Sequence, residues 1–127
     1  MSFDVDTVSK AIVVALEGLD PTVTCFASPP TTFNPPAYIV GYTTTVIYDA
    51  TMFGVDVATQ PVACVSGPTD RNRAEALARV AKDALRVDPS LGGTVQHLRV
   101  VSRSNPRFWS VGGADAYVVD LILEIQA

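Results

Sequence analysis

Residues 111–127 read VGGADAYVVDLILEIQA, and this stretch decides the fold. Every second residue from Tyr117 to Ile125 is apolar, a period of two that predicts a β-strand with one face in a hydrophobic core. The intervening positions are Val118, Asp120, Ile122 and Glu124. This second face is only half polar, which favours a subunit whose sheet is partly covered by a neighbour.

Further strands and turns precede this strand. RFWSV at 107–111 leads into Gly112-Gly113, a glycine pair that predicts a hairpin. Other β-branched or aromatic runs predict strands at 23–27, 37–41, 43–50, 58–66 and 94–102. Residues 51–57 are predicted as a hairpin tip with Gly54 at the bend. Because proline lacks an amide proton, we expect Pro61 at the edge or the beginning of its strand.

Two amphipathic helices are predicted. The first covers residues 4–18, and its apolar stripe is Val5, Val8, Ile12, Ala15 and Leu16. The second covers residues 70–87, and its apolar stripe is Leu77, Val80, Ala81, Ala84 and Leu85. Thr69 or Asp70 is expected to cap the second helix, so Gly67–Asp70 is interpreted as a turn and not as a phosphate loop. Arg79 is expected to pair with both Glu75 and Asp83.

This order of elements favours one α+β domain over residues 1–127. We expect a mostly antiparallel sheet with two helices packed on one face. A hairpin near residues 43–60 is expected to project from the body. Strands and helices do not alternate regularly, which disfavours a parallel sheet.

The composition indicates more apolar surface than one soluble domain can bury. Hydrophobic residues make up 48% and charged residues 17% of the chain, whereas an average domain has about 25% charged residues. The apolar run at 11–16 is far shorter than the roughly 20 residues that span a bilayer. The acidic start of the sequence is unlike a signal peptide, so we expect a cytosolic protein with no membrane partner. The surplus apolar surface is expected to lie between subunits.

The charge argues against general nucleic-acid binding but leaves room for a local basic patch. The net charge is −4 and the pI is about 4.7, whereas such binding needs a basic surface. Arg99, Arg103 and Arg107 cluster in the sequence and allow two interpretations: solvated strand residues, or a contact with an acidic partner. Cys25 and Cys64 are expected to be reduced and buried.

No residue pattern points to catalysis. His97 has no carboxylate or nucleophile at a useful spacing, and with two cysteines it does not make a zinc site. Asp120 and Glu124 share a strand face but lie roughly 13 Å apart, too far to share a metal ion. They are interpreted as charges that face solvent or a lumen. We expect no enzymatic activity, no cofactor and no metal.

Aromatic and arginine residues are the candidates for a subunit interface, where these residue types are enriched. Tyr48 and Phe53 lie on the predicted 43–60 hairpin, and Arg107, Phe108 and Trp109 precede the glycine pair. The Phe108-Trp109 pair fits either a monomer core or an interface.

The order of several motifs resembles a known family. These are the capped helix at 4–18, NPPAYIVG at 34–41, the segment 48–57, ATQPVACVSGPTDR at 58–71, DPSLGGTVQHLRV at 88–100 and FWSVGGADAYVVDLILEI at 108–125. The succession covers most of the chain. It resembles the tail terminator proteins of bacteriophages with long, non-contractile tails, particularly those that infect actinobacteria.

The resemblance implies the tail-terminator α+β fold and a six-membered ring of identical subunits. Such a ring would cap the growing tail tube, stop its polymerisation and offer a surface to the head–tail connector or stopper protein. DNA would pass through the lumen without sequence-specific binding, and an acidic lumen would repel its phosphates. The protein would reside in the neck of the virion after assembly in the host cytoplasm.

Two other hypotheses stay open. The first is a different neck component, such as a head–tail stopper or a connector completion protein. The second is a small enzyme or ligand-binding module.

Overall fold

The computed structural model describes residues 5–28, 35–40, 45–47, 56–111 and 114–126. The helices in this part are α1 (Val5–Leu16) and α2 (Arg71–Val87). The strands are β1 (Thr24–Phe26), β2 (Ala37–Val40), β3 (Thr45–Ile47), β4 (Val57–Ser66), β5 (His97–Arg103), β6 (Arg107–Val111) and β7 (Ala114–Gln126). Each predicted helix and strand is present, with ends shifted by one to a few residues.

The strands form one sheet in the order β1-β2-β4-β7-β5, with β3 beside β4 and β6 beside β7. Only β1 and β2 are parallel, and every other described pair is antiparallel. Both helices pack on one face of the sheet, around a common core. The predicted α+β class, with two helices on a mostly antiparallel sheet, is confirmed.

β7 is an interior strand of this sheet and pairs with three others. It pairs with β4 from Val57 opposite Gln126 to Ser66 opposite Tyr117, and on its other side it pairs with β5 and β6. Its side chains on the helix face are fully buried: Val119, Leu121, Leu123 and Ile125. The alternation in the sequence therefore identified the correct face, because successive strand side chains point to opposite sides.

Small and apolar residues of the helices complete the core. α1 contributes Val8, Ile12 and Leu16, and α2 contributes Ala74, Leu77, Ala78, Ala81 and Leu85. The prediction that Val80 belongs to the buried stripe is wrong, because this side chain is 46% exposed. Successive helix residues point about 100° apart, so Val80 falls to one side of the stripe centred near Ala81.

The opposite face of the sheet carries a second buried cluster. It consists of Ile39, Ala63, Val65, Ala116 and Val118, with Phe26 packed against it. Val118 belongs to the half-polar face of β7 that the sequence suggested a neighbour would cover. The chain itself buries this residue.

The prediction for Pro61 is wrong. The residue lies inside β4, a strand with neighbours on both sides, and pairs with Ile122 of β7. On the other side, β3 pairs with residues 57–59 and β2 pairs with residues 62–65. Pro61 therefore falls between these two registers, where the described strands require no amide proton from it.

A cap and a tight turn fix the ends of α2. The carboxylate of Asp70 accepts a hydrogen bond from the Arg73 amide, which confirms Asp70 as the N-cap. After the helix, the Asp88 carboxylate accepts hydrogen bonds from the amides of Ser90 and Gly92 and from the Ser90 hydroxyl. These bonds lower the pKa of Asp88. The turn leads the chain back so that β5 lies beside α2.

The tip of the predicted 43–60 hairpin, and its projection from the body, lie outside the described residues. The two strands at its base are present, because β3 pairs with β4. No helix in the described ranges is both long enough and apolar enough to cross a bilayer.

Candidate functional site

Three of the five predicted interface residues lie together on β6. The register places Arg107, Phe108 and Trp109 opposite Val118, Tyr117 and Ala116 of β7. Tyr48 and Phe53 lie outside the described residues, as does the side chain of Trp109. Their interface roles stay predictions.

Phe108 is a predicted interface residue that the structure leaves exposed, as is Arg107 beside it. Its side chain is 57% accessible. One edge contacts the Tyr117 ring, with centroids 5.4 Å apart and planes at 79°. This edge-to-face contact holds the ring in place while much of its surface stays open to a partner.

The three clustered arginines form ion pairs with the chain's own carboxylates. Arg107 lies 2.8 Å from Asp120, and Arg99 lies 3.1 Å from Glu124. Arg103 lies 3.7 Å from Glu75 of α2. The hydrogen bond to Glu124 raises the pKa of Arg99.

These pairs involve both carboxylates of β7. Asp120 and Glu124, which were expected to face solvent or a lumen, each contact an arginine on a neighbouring strand of the sheet, and both side chains keep some exposure. Glu124 lies directly opposite Arg99 in the register. The strand partner was not evident from the local sequence.

An apolar groove lies between the two helices. It has a volume of about 520 Å³ and is lined mainly by Ala11, Val14, Ala15, Ala84, Val87 and Leu91. Val14 is 71% exposed and Val87 is 84% exposed. This surface was not predicted from the sequence. The signal for it was that both valines lie off the core-facing stripe of their helix. We call it the helix groove.

A second groove runs between α2 and β5 and is cationic on its helix side. It consists of two adjoining clefts of about 270 and 370 Å³, which share Lys82 and Val100. Arg79 lines the first cleft and Arg86 lines the second. We call it the strand groove.

The helix-side cations of the strand groove have no ion pair within the described ranges of the chain: Arg79, Lys82 and Arg86. The predicted pairs of Arg79 with Glu75 and Asp83 are not formed. Glu75 contacts Arg103 on β5 instead.

His97 lies at one end of the strand groove and is exposed, as expected for a strand residue. Among the residues that the structure describes, no three His, Cys, Asp or Glu side chains cluster to hold a metal ion.

Buried polar groups lie in the core between helices and sheet. The Tyr38 hydroxyl donates a 2.7 Å hydrogen bond to the Leu77 carbonyl of α2. The Gln60 amide donates to the Ser9 hydroxyl at 2.8 Å, while the Gln60 carbonyl oxygen has no hydrogen-bond partner among the residues that the structure describes. Both Tyr38 and Gln60 are almost completely inaccessible.

The two cysteines are free, as predicted. Cys64 is fully buried, whereas Cys25 is only partly buried. Burial raises the pKa of both thiols, with smaller contributions from Asp120 at Cys64 and from Glu17 at Cys25. Burial, followed by the two thiols, also raises the pKa of Tyr38.

No protein-family model and no curated protein matches this chain. The described surface holds three candidates for contacts with other macromolecules: the helix groove, the strand groove and the exposed ring of Phe108.

Proposed function

We propose that this chain is a structural subunit of a bacteriophage neck. Copies of it form a ring that caps the tail tube, ends tail polymerisation and joins the tail to the head connector. The order of sequence motifs supports this proposal through its resemblance to tail terminator proteins. The α+β class agrees with that resemblance.

The helix groove is the observation that carries the proposal. Two valines protrude there from the outer side of the helix layer, and burying each on association stabilises a complex by roughly 1.5–3 kcal/mol. An apolar surface of this kind marks a contact between proteins.

A ring also needs a second, different surface on each subunit, because head-to-tail contacts join unlike patches. Phe108 on β6 supplies an exposed aromatic side chain on another element, and aromatic residues are enriched at the centres of interfaces. Contact between the helix groove of one copy and the β6 region of the next would use both surfaces.

The test adds the purified protein to polymerising tail tube protein and examines the tubes by electron microscopy. We expect density at one end of each tube and a fixed tube length. Size-exclusion chromatography with light scattering should give the molar mass of a closed oligomer for the free protein, unless the ring closes only on the tube end. Binding to the portal side instead would identify a stopper or connector completion protein. A strict monomer that leaves tube length unchanged would contradict the proposal.

A further inference from the structure

The strand groove combines a free sheet edge with unpaired positive charge. Within the described residues β5 pairs with β7 alone, so its other edge borders the groove. The opposite wall is the side of α2 that carries Arg79, Lys82 and Arg86, with Glu75 at one end, where it pairs with Arg103. We propose that this groove binds an extended, acidic segment of a partner protein, which adds to the sheet beside β5.

The backbone of β5 defines where such a segment can pair. The Leu98 amide already donates to the Pro89 carbonyl at 2.7 Å, so the turn after α2 covers the start of this edge. The register shifts between Val100 and Ser102, and Val101 at this bulge is half exposed. The stretch from Val100 to Arg103 is therefore the open part, about 10 Å long.

The spacing of the α2 cations is similar to the spacing of alternate side chains in an extended acidic segment. Arg79, Lys82 and Arg86 lie three and four positions apart, which places them about 4.5 and 6 Å apart along the helix axis. Alternate side chains of an extended segment repeat at about 6.8 Å. A carboxylate at every second position can therefore approach successive cations of α2 while the backbone pairs with β5.

The cations on the two walls differ in whether they form ion pairs with carboxylates of the described chain. Arg99 and Arg103 on β5 contact Glu124 and Glu75, whereas the α2 cations contact no carboxylate of the described chain. This local positive charge stands out in a chain of net charge −4. Complementary charge raises the rate and specificity of association more than its affinity.

A polypeptide fits this groove better than a nucleic acid. A free strand edge offers amide and carbonyl groups that another strand can bind, and grooves between a strand and a helix are a known way to add a peptide to a sheet. Duplex DNA requires a broader basic surface than one helix side in an acidic protein. The proposal does not depend on the ring, since it uses a different surface.

The test measures fluorescence anisotropy of a labelled peptide of about eight residues that alternates valine and glutamate. We expect it to bind the full chain with a micromolar Kd at low salt. The variant Arg79→Gln/Lys82→Gln should bind about tenfold more weakly. The control Lys10→Gln/Arg71→Gln removes the same charge from other helix positions and should bind like the wild type. Circular dichroism would verify that both variants fold.

A second peptide tests the strand geometry. The same sequence with N-methyl groups on alternate residues keeps its charge but cannot pair along one edge, so it should lose most of its binding. The proposal would be overturned if the methylated peptide bound as tightly as the unmethylated one, or if both double variants lost the same affinity. Either result would indicate non-specific electrostatic attraction. No binding of either peptide would mean that the bulge and charges only protect the edge. Tighter binding of a DNA duplex, or a change in subunit number caused by Arg79→Gln/Lys82→Gln alone, would assign the groove to another occupant.

Discussion

Gln60 is a buried residue whose polarity is only half satisfied. Its amide nitrogen donates a hydrogen bond to Ser9, but its buried carbonyl oxygen accepts none from the described part of the chain. An unpaired buried acceptor costs roughly 1–3 kcal/mol. We expect the double variant Gln60→Leu/Ser9→Ala to raise the free energy of unfolding by about 1–2 kcal/mol in urea titrations. The control Gln126→Leu changes a partly exposed glutamine of the same sheet and should give no such gain. A loss of stability in the double variant would show that the oxygen is satisfied.

Cys64 and Tyr38 are expected to make the free energy of unfolding fall as the pH rises into the alkaline range. Burial raises the pKa of both groups in the folded protein, whereas in the unfolded chain they ionise near about 8.5 and 10. Above these values the unfolded state holds fewer protons than the folded state, so the free energy of unfolding falls as pH rises. The expected slope is about 1.4 kcal/mol per pH unit for each group.

Urea titrations at several pH values between neutral and strongly alkaline check this dependence. Cys64→Ala should lower stability at neutral pH and flatten the decline just above pH 8.5. Tyr38→Phe should flatten the decline that begins near pH 10. An unchanged slope in both variants would contradict the assignment.

The role of a single residue could be predicted from the sequence where its contacts are with residues close by in the chain. Asp70 was one of two candidate caps that the sequence offered, because its carboxylate acts only three residues away. The position of Pro61 was predicted wrongly because it depends on other parts of the chain. A proline fits inside β4 because β3 and β2 pair with residues on either side of Pro61 and leave it without a partner on that edge. The Gln60–Ser9 bond joins β4 to α1 and gave no local signal either.

Among the elements, β7 was the easiest to predict and the helix groove the hardest. The alternation of β7 reports directly which face is buried. The helix groove forms only when α1 and α2 lie side by side. Helical periodicity therefore identified the core-facing stripe of each helix but could not identify a surface to which both helices contribute. The ion pairs of Arg99 and Arg107 likewise required the register with β7.

The helix groove predicts a separation between folding and assembly. Val87→Ser should leave the free energy of unfolding within about 0.5 kcal/mol of the wild type, because the side chain is mostly exposed. It should weaken association of subunits, measured by light scattering. The matched control Val80→Ser alters a partly exposed valine on another side of α2 and should assemble normally. Normal assembly of Val87→Ser would remove the groove from the interface.

Phe108 provides the corresponding test on β6. Phe108→Ala should lower the free energy of unfolding by about 1 kcal/mol, because it loses only the contact with Tyr117 and a partly buried ring. Its expected main effect is on assembly, again measured by light scattering. A loss of several kcal/mol with intact assembly would show a core role instead.

For the whole molecule, the two grooves predict opposite responses to salt. Association through apolar surface should persist or strengthen in sodium sulfate. Binding of the acidic peptide to the strand groove should weaken from about 0.05 to 0.5 M sodium chloride, because exposed charges are screened. Light scattering and anisotropy on the same samples measure the two responses. If both fell together, one electrostatic surface would serve both contacts.

The interior position of β7 also has a kinetic consequence. Val57 pairs with Gln126 across the longest strand pair, and β5 and β6 pair with the same strand, so much of the sheet depends on contacts between distant parts of the chain. Chains dominated by such contacts refold in about milliseconds to seconds, far more slowly than helical bundles. Until β7 inserts, β4 and β5 each keep an open edge, and it is during this interval that newly made copies are most prone to aggregate.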